Sequence, residues 1–310
     1  MNQIEERLAR QNVIVLDGAF ATELEARDFS VNDALWSAKA LFERPDLVRD
    51  VHLDYLRAGA DIVTSASYQA TVEGFMRRGF SAEEADALIQ KSVQLAQEAR
   101  DLYLAACGTD ENKPLVAASV GPYGAYLADG SEYRGDYGVD EGALTAFHAG
   151  RLAVLASAQP DLLACETLPC LMEACAIVRA LREREIRIPA WFSFSCRDGA
   201  HISDGTPIAE CARCLDTVPE AAAIGLNCTA PQHAEALIGA IRKETDKPIV
   251  VYPNSGETYD AADKSWHGMA EDFGTMAQRW RSAGARLIGG CCRTTPREIA
   301  EIAAWAKRME

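Results

Sequence analysis

Three of the ten cysteines stand out by their position shortly after predicted β-strands, where their side chains could hold a metal ion together. Cys228 comes after one strand, and the adjacent pair Cys291 and Cys292 comes after another, preceded by Gly289 and Gly290. Glycine permits the tight turn that would point two neighbouring side chains at one centre. The alternative is that these thiols are small buried groups, since free cysteine often packs as a hydrophobe. Three protein ligands with one open position are typical of a catalytic zinc, whereas a structural zinc usually has four.

Bringing these cysteines together requires a fold in which distant strands end at one place. Short apolar runs rich in Val, Ile and Phe alternate with longer amphipathic stretches, which predicts alternating strands and helices. The predicted strands are 13–16, 62–64, 115–118, 162–164, 190–194, 223–226, 249–252 and 286–288. Eight strands, each followed by a helix, favour an α/β fold of the (β/α)₈ TIM-barrel type over an open doubly wound sheet. The active site of such a barrel lies at the C-terminal face, where the loops after the strands meet.

Several helix ends are marked by residues that suit them. Ser81 and Glu84 are spaced as a capping box, and Pro296 lies in the first turn of another predicted helix. Gly59 and Gly284 stand where two helices end and the next strands begin. Because no linker rich in Pro, Gly or Ser interrupts the pattern, residues 1–310 are predicted to form a single domain.

Composition restricts the partners of the chain. It contains 31 Lys and Arg residues against 46 Asp and Glu residues, which gives a net charge of −15. Nucleic acids and anionic membranes attract basic surfaces, so neither is expected as a partner. No run approaches the ~20 apolar residues of a membrane span, and the N-terminus lacks the features of a signal peptide. We expect a cytoplasmic enzyme with reduced thiols that acts on small molecules; its oligomeric state does not follow from the sequence.

Short motifs stand where the predicted strands end. They are DGA at 17–19, SVGPYG at 119–124, CET at 165–167, GLNC at 225–228 and GGCC at 289–292. Through these motifs the chain resembles the homocysteine S-methyltransferase family over nearly its whole length, and the last two match the zinc motifs of that family. Two further strings, YLADGSEYRGDY and VVYPNSGETYD, are similar to the bacterial branch that methylates homocysteine from S-methylmethionine. The resemblance implies a TIM-barrel methyltransferase with Zn²⁺ as its cofactor.

The resemblance also implies a chemistry for the three cysteines. The reaction would move a methyl group from S-methylmethionine, or also from S-adenosylmethionine, to the thiol of L-homocysteine and give methionine. An unperturbed thiol is mostly protonated at neutral pH, whereas Zn²⁺ deprotonates a bound thiol outright. With zinc on Cys228, Cys291 and Cys292, the nucleophile is the bound substrate thiolate, and no general base from the protein is needed. Three protein thiolates give the site a formal charge of 2 − 3 = −1, which keeps that thiolate reactive.

Other residues are expected to hold the amino-acid end of homocysteine. Asp17 and Glu166 match the acidic positions that bind the substrate ammonium in the family. Without the resemblance, Asp17 would be interpreted as a helix N-cap and Glu166 as a solvated or salt-bridged carboxylate. The predicted helix that contains Ala21 and Thr22 begins with free N–H groups that could take the substrate carboxylate. The remaining polar candidates for substrate binding are Ser67, Tyr68, Ser119 and Asn227. Asn227 is also a candidate for the resting fourth ligand of the metal.

Two long loops, 121–138 and 253–268, follow strands and carry aromatic residues. A sulfonium donor is cationic, and the faces of aromatic rings attract cations. The candidates for donor binding are Tyr123, Tyr126, Tyr133, Tyr137, Tyr259 and Trp266. The alternative is that these rings anchor the loops by packing.

Other cysteines and histidines give weaker signals. Cys211 and Cys214 have CxxC spacing but lie in a predicted helix, and no second pair completes a four-ligand site. They are predicted to be buried or half-buried thiols, as are Cys107, Cys165, Cys170, Cys175 and Cys196. No histidine belongs to a metal-binding HExxH or HxxEH pattern, and His267 alone lies in a loop expected at the barrel mouth.

Three other functions remain open from the sequence. Within the family, the donor could be betaine. Outside it, the chain could be a non-catalytic, thiol-rich zinc-binding protein that holds its metal with four protein ligands. The third alternative is a barrel hydrolase in which Asp17 and Glu166 do acid and base work and activity survives chelation.

Overall fold

The computed structural model describes residues 1–33, 35–107, 112–256, 258–260, 265–267 and 272–309, with the backbone alone for 258–260 and 265–267. The strands are Ile14–Val15 (β1), Ile62–Thr64 (β2), Leu115–Val120 (β3), Leu162–Leu168 (β4), Ala190–Phe194 (β5), Ala221–Asn227 (β6), Ile249–Tyr252 (β7), Thr258–Asp260 (β8), Ser265–His267 (β9) and Ala285–Ile288 (β10). The α-helices are Gln3–Leu8 (α1), Phe20–Glu25 (α2), Ala40–Glu43 (α3), Pro45–Ala58 (α4), Val72–Arg77 (α5), Ala82–Cys107 (α6), Tyr123–Leu127 (α7), Glu141–Ser157 (α8), Leu171–Glu183 (α9), Ile208–Asp216 (α10), Ala234–Ile241 (α11), Phe273–Ala283 (α12) and Pro296–Ala306 (α13). Short 3₁₀ turns lie at Trp36–Lys39, Ser131–Tyr133, Pro231–His233 and Lys307–Met309.

The main sheet is a parallel barrel, which confirms the predicted (β/α)₈ TIM-barrel class. Its strands follow the order β1-β10-β7-β6-β5-β4-β3-β2, and every neighbouring pair is parallel. A parallel bridge between Leu16 and Ile62 joins the first and last strands of this order, so the sheet returns to its starting point. Helices lie between successive barrel strands, as the alternating pattern predicted. The loop after β7 adds the antiparallel pair β8 and β9.

The barrel is filled by side chains that alternate along each strand. Ile14 of β1 belongs to an interior cluster, whereas its neighbour Val15 belongs to the cluster between the sheet and the helices. Trp191 is fully buried in the interior beside small residues such as Ala117 and Ala164. Large and small side chains thereby fill the barrel, and it is a packed core with a mouth and not a pore.

The helix ends carry the signals that the sequence predicted. Ser81 and Glu84 exchange backbone-to-side-chain hydrogen bonds of 2.7 and 3.2 Å at the start of α6. Gly59 ends α4 at φ 101°, a conformation that glycine adopts without strain. At the opposite end of the barrel from the mouth, Ile4 of α1 is fully buried in the interior cluster. Among the described residues, none of the helices combines the length and apolar character needed to cross a bilayer.

Candidate active site

Three thiols converge at the mouth of the barrel. Cys228 follows β6, Cys291 and Cys292 follow β10, and their three Sγ atoms lie within 4.8 Å of one another. The Cys228–Cys292 separation is 3.7 Å and the Cys291–Cys292 separation is 4.0 Å. Tetrahedral thiolates about 2.3 Å from a zinc ion stand roughly 3.8 Å apart, so the cluster has the size of a metal site.

The backbone around β7 fixes these cysteines. The N–H of Cys228 donates to Tyr252 O at 3.3 Å, and the N–H of Cys291 donates to Pro253 O at 2.8 Å. Cys228 adopts a φ of +49°, in the left-handed region that a residue with a Cβ rarely occupies. Strained backbone of this kind persists only where the surrounding structure holds it, and it concentrates at functional sites.

The proton state of the cluster follows from its own hydrogen bonds. Bonds from the Cys291 and Cys292 thiols lower the pKa of Cys228 well below its ordinary value. The same contacts with Cys228 raise the pKa values of Cys291 and Cys292. The shifts have opposite signs, so ionisation is favoured at Cys228 over its two partners, and a metal that binds all three sulfurs must displace the protons that remain on them.

Tyr133 reaches the thiol cluster from the loop after β3. Its Oη lies 3.2 Å from Cys228 Sγ, and its side chain is 49% exposed. The 3₁₀ turn Ser131–Tyr133 that carries it packs closely on α7, where a Cβ at Gly124 would collide with the backbone of Glu132. The predicted donor loop thus brings one tyrosine hydroxyl to a sulfur of the cluster.

Two buried carboxylates face the same mouth. Asp17 and Glu166 are each 8% exposed. Asp17 accepts hydrogen bonds from Thr64 N (2.6 Å) and Thr64 Oγ1 (3.2 Å), so it is not the side-chain cap of α2. Among the described residues no lysine or arginine forms an ion pair with either carboxylate, contrary to a salt-bridged reading of Glu166. Burial raises the pKa of Asp17 to about 8, helped by the charge of Glu166, and burial raises the pKa of Glu166 to about 7.

Tyr252 links the thiols to Glu166, and the sequence motifs did not indicate it. Its Oη donates to Glu166 at 3.0 Å, while its backbone oxygen accepts from Cys228. Trp191 Nε1 (2.9 Å) and Ser193 Oγ (2.6 Å) hold the same hydroxyl from inside the barrel. The available signal was its position as the last residue of a predicted strand, where a barrel places functional side chains.

Asn227 is fully used by the protein. It is 1% exposed, and its Oδ1 accepts from Thr167 N at 2.7 Å and Ser193 Oγ at 2.9 Å. Its Nδ2 donates to Thr167 Oγ1 at 2.8 Å. These bonds hold Thr167 at a φ of +58° directly after Glu166. Both acceptor positions of the amide oxygen are occupied, so Asn227 has no acceptor left for a metal. Its hydrogen bonds stabilise the backbone at Thr167, beside Glu166.

The polar candidates after β2 and β3 form a supporting layer. Ser67 is fully buried and donates to Ser119 O at 2.7 Å, so its hydroxyl faces the protein. Ser119 is 1% exposed, and its Oγ donates directly to the Glu166 carboxylate. Tyr68 is half-buried and close enough to Cys228 that a thiolate there contributes to its raised pKa, after burial itself. A side chain at Gly121 would collide with the Tyr68 carbonyl, so this approach requires glycine.

The buried side chain of Arg151 binds backbone carbonyls in the segments after β2 and β3, and sequence reasoning missed it. Arg151 of α8 is 3% exposed and donates to Gly121 O at 2.9 Å, Ser67 O at 2.5 Å and Tyr68 O at 2.6 Å. Burial lowers the pKa of Arg151 only to about 10, so it stays charged. The signal available in the sequence was a charged residue on a helix face that also carries Leu144, His148 and Leu155.

Ala21 and Thr22 lie in the first turn of α2, beside the mouth. The cap residue Ala19 provides no side-chain hydrogen bond to this end of the helix. Thr22 Oγ1 accepts from Arg293 N at 3.3 Å, which ties the helix to the segment after the cysteine pair. The first N–H groups of a helix have no intrahelical acceptor, so this turn can offer donors to a ligand.

The other tyrosines of the first loop do not reach the thiols. Tyr123 packs against Tyr126, Tyr137 and Phe147, with ring centroids 5.7, 5.5 and 4.9 Å away. Tyr137 Oη donates to the fully buried Glu173 at 2.8 Å. For these three tyrosines the packing alternative describes the structure. Tyr259 and Trp266 face each other in the β8–β9 register, but their side chains, like that of His267, lie outside the described residues.

The remaining cysteines divide by exposure. Cys165, Cys170 and Cys211 are buried and Cys175 and Cys196 are half-buried, as predicted. Cys107 and Cys214 are exposed, so that prediction is wrong for them. Cys107 ends the long helix α6, and Cys214 lies on α10 at the solvent-exposed edge of the buried face of that helix.

Fold and site together define a class of protein: a TIM barrel with three cysteines at its C-terminal mouth that could hold a metal ion. Residues 14–306 match the sequence profile of the family described as homocysteine S-methyltransferase. The chain is 55% identical to homocysteine S-methyltransferase YbgG of Bacillus subtilis (strain 168), over 100% of this chain and 99% of that protein. It is 51% identical to homocysteine S-methyltransferase of Escherichia coli (strain K12), over 98% of both chains.

A solved structure agrees with the sequence relatives. The metallated form of the homocysteine methyltransferase MmuM from Escherichia coli superposes with a TM-score of 0.89 at 48% identity, covering 98% of this chain and 100% of that one. The protein belongs to the homocysteine S-methyltransferase family and is an enzyme of the methyltransferase class. This confirms the resemblance that the strand-end motifs indicated.

Proposed function

We propose that the protein transfers a methyl group from S-methylmethionine, and also from S-adenosylmethionine, to the thiol of L-homocysteine, with Zn²⁺ as cofactor. The observation that carries this proposal is the meeting of Cys228, Cys291 and Cys292 within 4.8 Å at the barrel mouth. Relatives named for homocysteine S-methylation cover the whole chain, which supports homocysteine as the acceptor. The string similarity to the S-methylmethionine branch supports the first donor.

The donor atoms suit zinc. Thiolates are the soft ligands that zinc accepts, and three of them leave one tetrahedral position for a substrate sulfur. Zn²⁺ bound there would supply the positive charge that keeps the homocysteine thiol ionised near neutral pH. The protein contributes the position of the three sulfurs, fixed through Tyr252 O and Pro253 O, and the reducing cytoplasm suits thiol ligands.

The two carboxylates hold the ammonium group of the acceptor. Asp17 and Glu166 are buried without an ion-pair partner among the described residues, and the charge of Glu166 raises the free energy of ionising Asp17. A cation between them relieves that repulsion, so an ammonium group binds there better than a neutral group. The substrate carboxylate then lies toward the uncapped first turn of α2, near Ala21 and Thr22.

The donor enters over the thiol cluster from the loop side. Tyr133 offers a half-exposed ring next to Cys228, and its face attracts the positive charge of a sulfonium. The carboxylates and thiolates add negative charge to the same mouth. The open direction above the cysteines lets the donor methyl approach in line with the acceptor sulfur, so the contribution of the protein is orientation.

The first test joins metal analysis to activity in Cys228→Ser, Cys291→Ser and Cys292→Ser, with Cys196→Ser, a half-buried thiol outside the cluster, as matched control. We expect about one zinc per chain in the parent and in the control, and loss of zinc and of methyl transfer in each cluster variant, because two thiolates hold the ion too weakly. Turnover by metal-free protein would refute the mechanism and favour the hydrolase alternative. Zinc with full occupancy but no consumption of homocysteine thiol would favour a storage protein.

The second arm separates acceptor binding from metal binding. Glu166→Gln should weaken homocysteine binding by about tenfold or more while zinc stays bound, since a buried charge opposite the ammonium is lost. Loss of zinc in this variant would show that Glu166 supports the metal instead. Donor profiling of the parent should give faster transfer from S-methylmethionine than from betaine, and the opposite order would overturn the choice of donor.

A further inference from the structure

Two thiols outside the barrel mouth face each other across the outer helical layer. Cys175 lies in the second turn of α9 and Cys214 near the end of α10, and their Sγ atoms are 4.0 Å apart. Cys175 is half-buried, while Cys214 is exposed to solvent. Together with Arg179, Arg182 and Val218 they line a shallow surface groove between the two helices. An oxidant in solution can therefore reach one sulfur directly and the other from beside it.

We propose that Cys175 and Cys214 form an oxidation site that closes to a disulfide between α9 and α10 when the protein meets a peroxide. The Cys214 thiolate attacks one peroxide oxygen, which breaks the O–O bond, and gives a sulfenic acid and hydroxide. The Cys175 sulfur then attacks the Cys214 sulfur, expels its oxygen, and its proton leaves with that oxygen as water. In total two thiols lose two electrons and two protons to hydrogen peroxide, and two water molecules form.

The order of attack follows from the surroundings of the two sulfurs. Burial raises the pKa of Cys175 to about 12, and the neighbouring Cys214 sulfur adds to the shift, so Cys175 is a poor first target for the peroxide. Cys214 is on the solvent side and meets the peroxide first. The sulfurs must approach by about 2 Å to bond, a movement within reach of a side-chain rotation in one exposed residue.

The nearest competitor is Cys211, which precedes Cys214 by one helical turn. Cys211 is fully buried on α10, whereas Cys214, about 60° further round the helix, lies at the edge of that buried face and is exposed. Cys175 on the adjacent helix is the sulfur that the geometry offers to Cys214. The site is separate from the three cysteines at the strand ends, so this proposal does not depend on the proposed methyl transfer.

Peptide mapping of the zinc-loaded full chain tests the pairing. After treatment with one equivalent of hydrogen peroxide and blocking of free thiols, cleavage after Glu and Arg isolates Cys175 in residues 174–179, Cys211 in 211–213 and Cys214 in 214–220. We expect 174–179 joined to 214–220, about 2 Da lighter than the two reduced peptides together. Cys228 is separated in residues 221–235, so oxidation of the metal site is scored apart.

Variants distinguish a resolving pair from two independent thiols. Cys175→Ser should leave Cys214 as a sulfenic acid that a dione probe captures, and Cys214→Ser should leave Cys175 unoxidised at the same dose. Cys107→Ser removes another exposed cysteine and should leave the cross-link unchanged. Joining of 211–213 to 214–220, or oxidation of Cys107 without any cross-link between 174–179 and 214–220, would overturn the proposal.

Discussion

The two sides of the barrel mouth are built in different ways. On the thiol side, after β6 and β10, backbone groups set the positions: Cys228 and Cys291 donate to carbonyls at the end of β7, and Cys228 has left-handed backbone. On the carboxylate side, with Asp17 after β1 and Glu166 within β4, the carboxylate oxygens themselves are held: the N–H and Oγ1 of Thr64 donate to Asp17, and the Ser119 hydroxyl donates to Glu166. The difference teaches that motifs at two strand ends can indicate the first side, whereas the second depends on hydrogen-bond donors that no motif beside the carboxylates indicates.

Gly290→Ala should displace the cysteine pair on the thiol side. Among the substitutions that test this comparison, it has the largest expected effect. A Cβ at Gly290 would lie 2.6 Å from Thr294 Cβ. Thr294 cannot yield freely, because its Oγ1 donates to Cys291 O at 2.7 Å and accepts from Ala19 N at 3.2 Å. The turn that carries the cysteine pair must shift, so zinc content and methyl transfer should both fall by about a hundredfold or more.

Gly150→Ala on α8 is the matched control for this substitution. A Cβ there meets nothing within 4 Å, and the position is exposed. Alanine is the better helix former, so the free energy of unfolding should rise by about 0.5–1 kcal/mol with metal content unchanged. Equal zinc content in both variants, measured by metal analysis, would contradict the role of the turn.

The same contrast decides how much the sequence could predict. The barrel follows from eight apolar runs with helices between them, and the thiol cluster follows from cysteines placed at two strand ends. For the support of the carboxylate side the sequence offered only single positions, Arg151 as a charged residue on α8 and Tyr252 as the last residue of β7, and their contacts did not follow from it. Nothing in local spacing relates such residues to Glu166; only closure of the barrel does. Aromatic content misled for the same reason, because Tyr123 packs on α8 and does not reach the thiols.

Arg151→Met should loosen the carboxylate side while leaving the thiols in place. The substitution leaves three carbonyls, on Ser67, Tyr68 and Gly121, without their buried donor. We expect a loss of about 3–5 kcal/mol in the free energy of unfolding, together with a KM for homocysteine raised by roughly tenfold.

Arg151→Lys keeps the positive charge with fewer donors, so it should recover part of both losses. Chemical denaturation and steady-state kinetics measure the two quantities, and zinc content checks the thiol side. An unchanged KM in folded Arg151→Met would show that the guanidinium stabilises the fold without positioning the loops.

The pH dependence of the free energy of unfolding tests the carboxylate side of the comparison through Asp17. Burial raises the folded pKa of Asp17 from 3.8 to about 8, so the folded state binds more protons than the unfolded state between these values. The contribution of this group to stability is fully present below pH 3.8 and is lost as pH rises towards 8. Asn cannot ionise. Between pH 5 and 8, Asp17→Asn should therefore gain stability relative to the parent, by up to about 1.4 kcal/mol for each pH unit.

Asp46→Asn provides the control for this measurement. A hydrogen bond from Arg44 lowers the pKa of Asp46, which is exposed, so its carboxyl is ionised in both states throughout the range from pH 5 to 8. Its substitution should leave the slope of stability against pH unchanged, as read from denaturant titrations at each pH. If Asp17→Asn and the parent had parallel slopes of stability against pH, Asp17 would be ionised in the folded protein. A cation would then already lie beside it, and that cation would take the place that we assign to the substrate ammonium. If the slopes diverge as expected, Asp17 on the carboxylate side is protonated until an ammonium group binds and favours its ionised form. The thiol side differs, because its thiols must release protons when a metal binds.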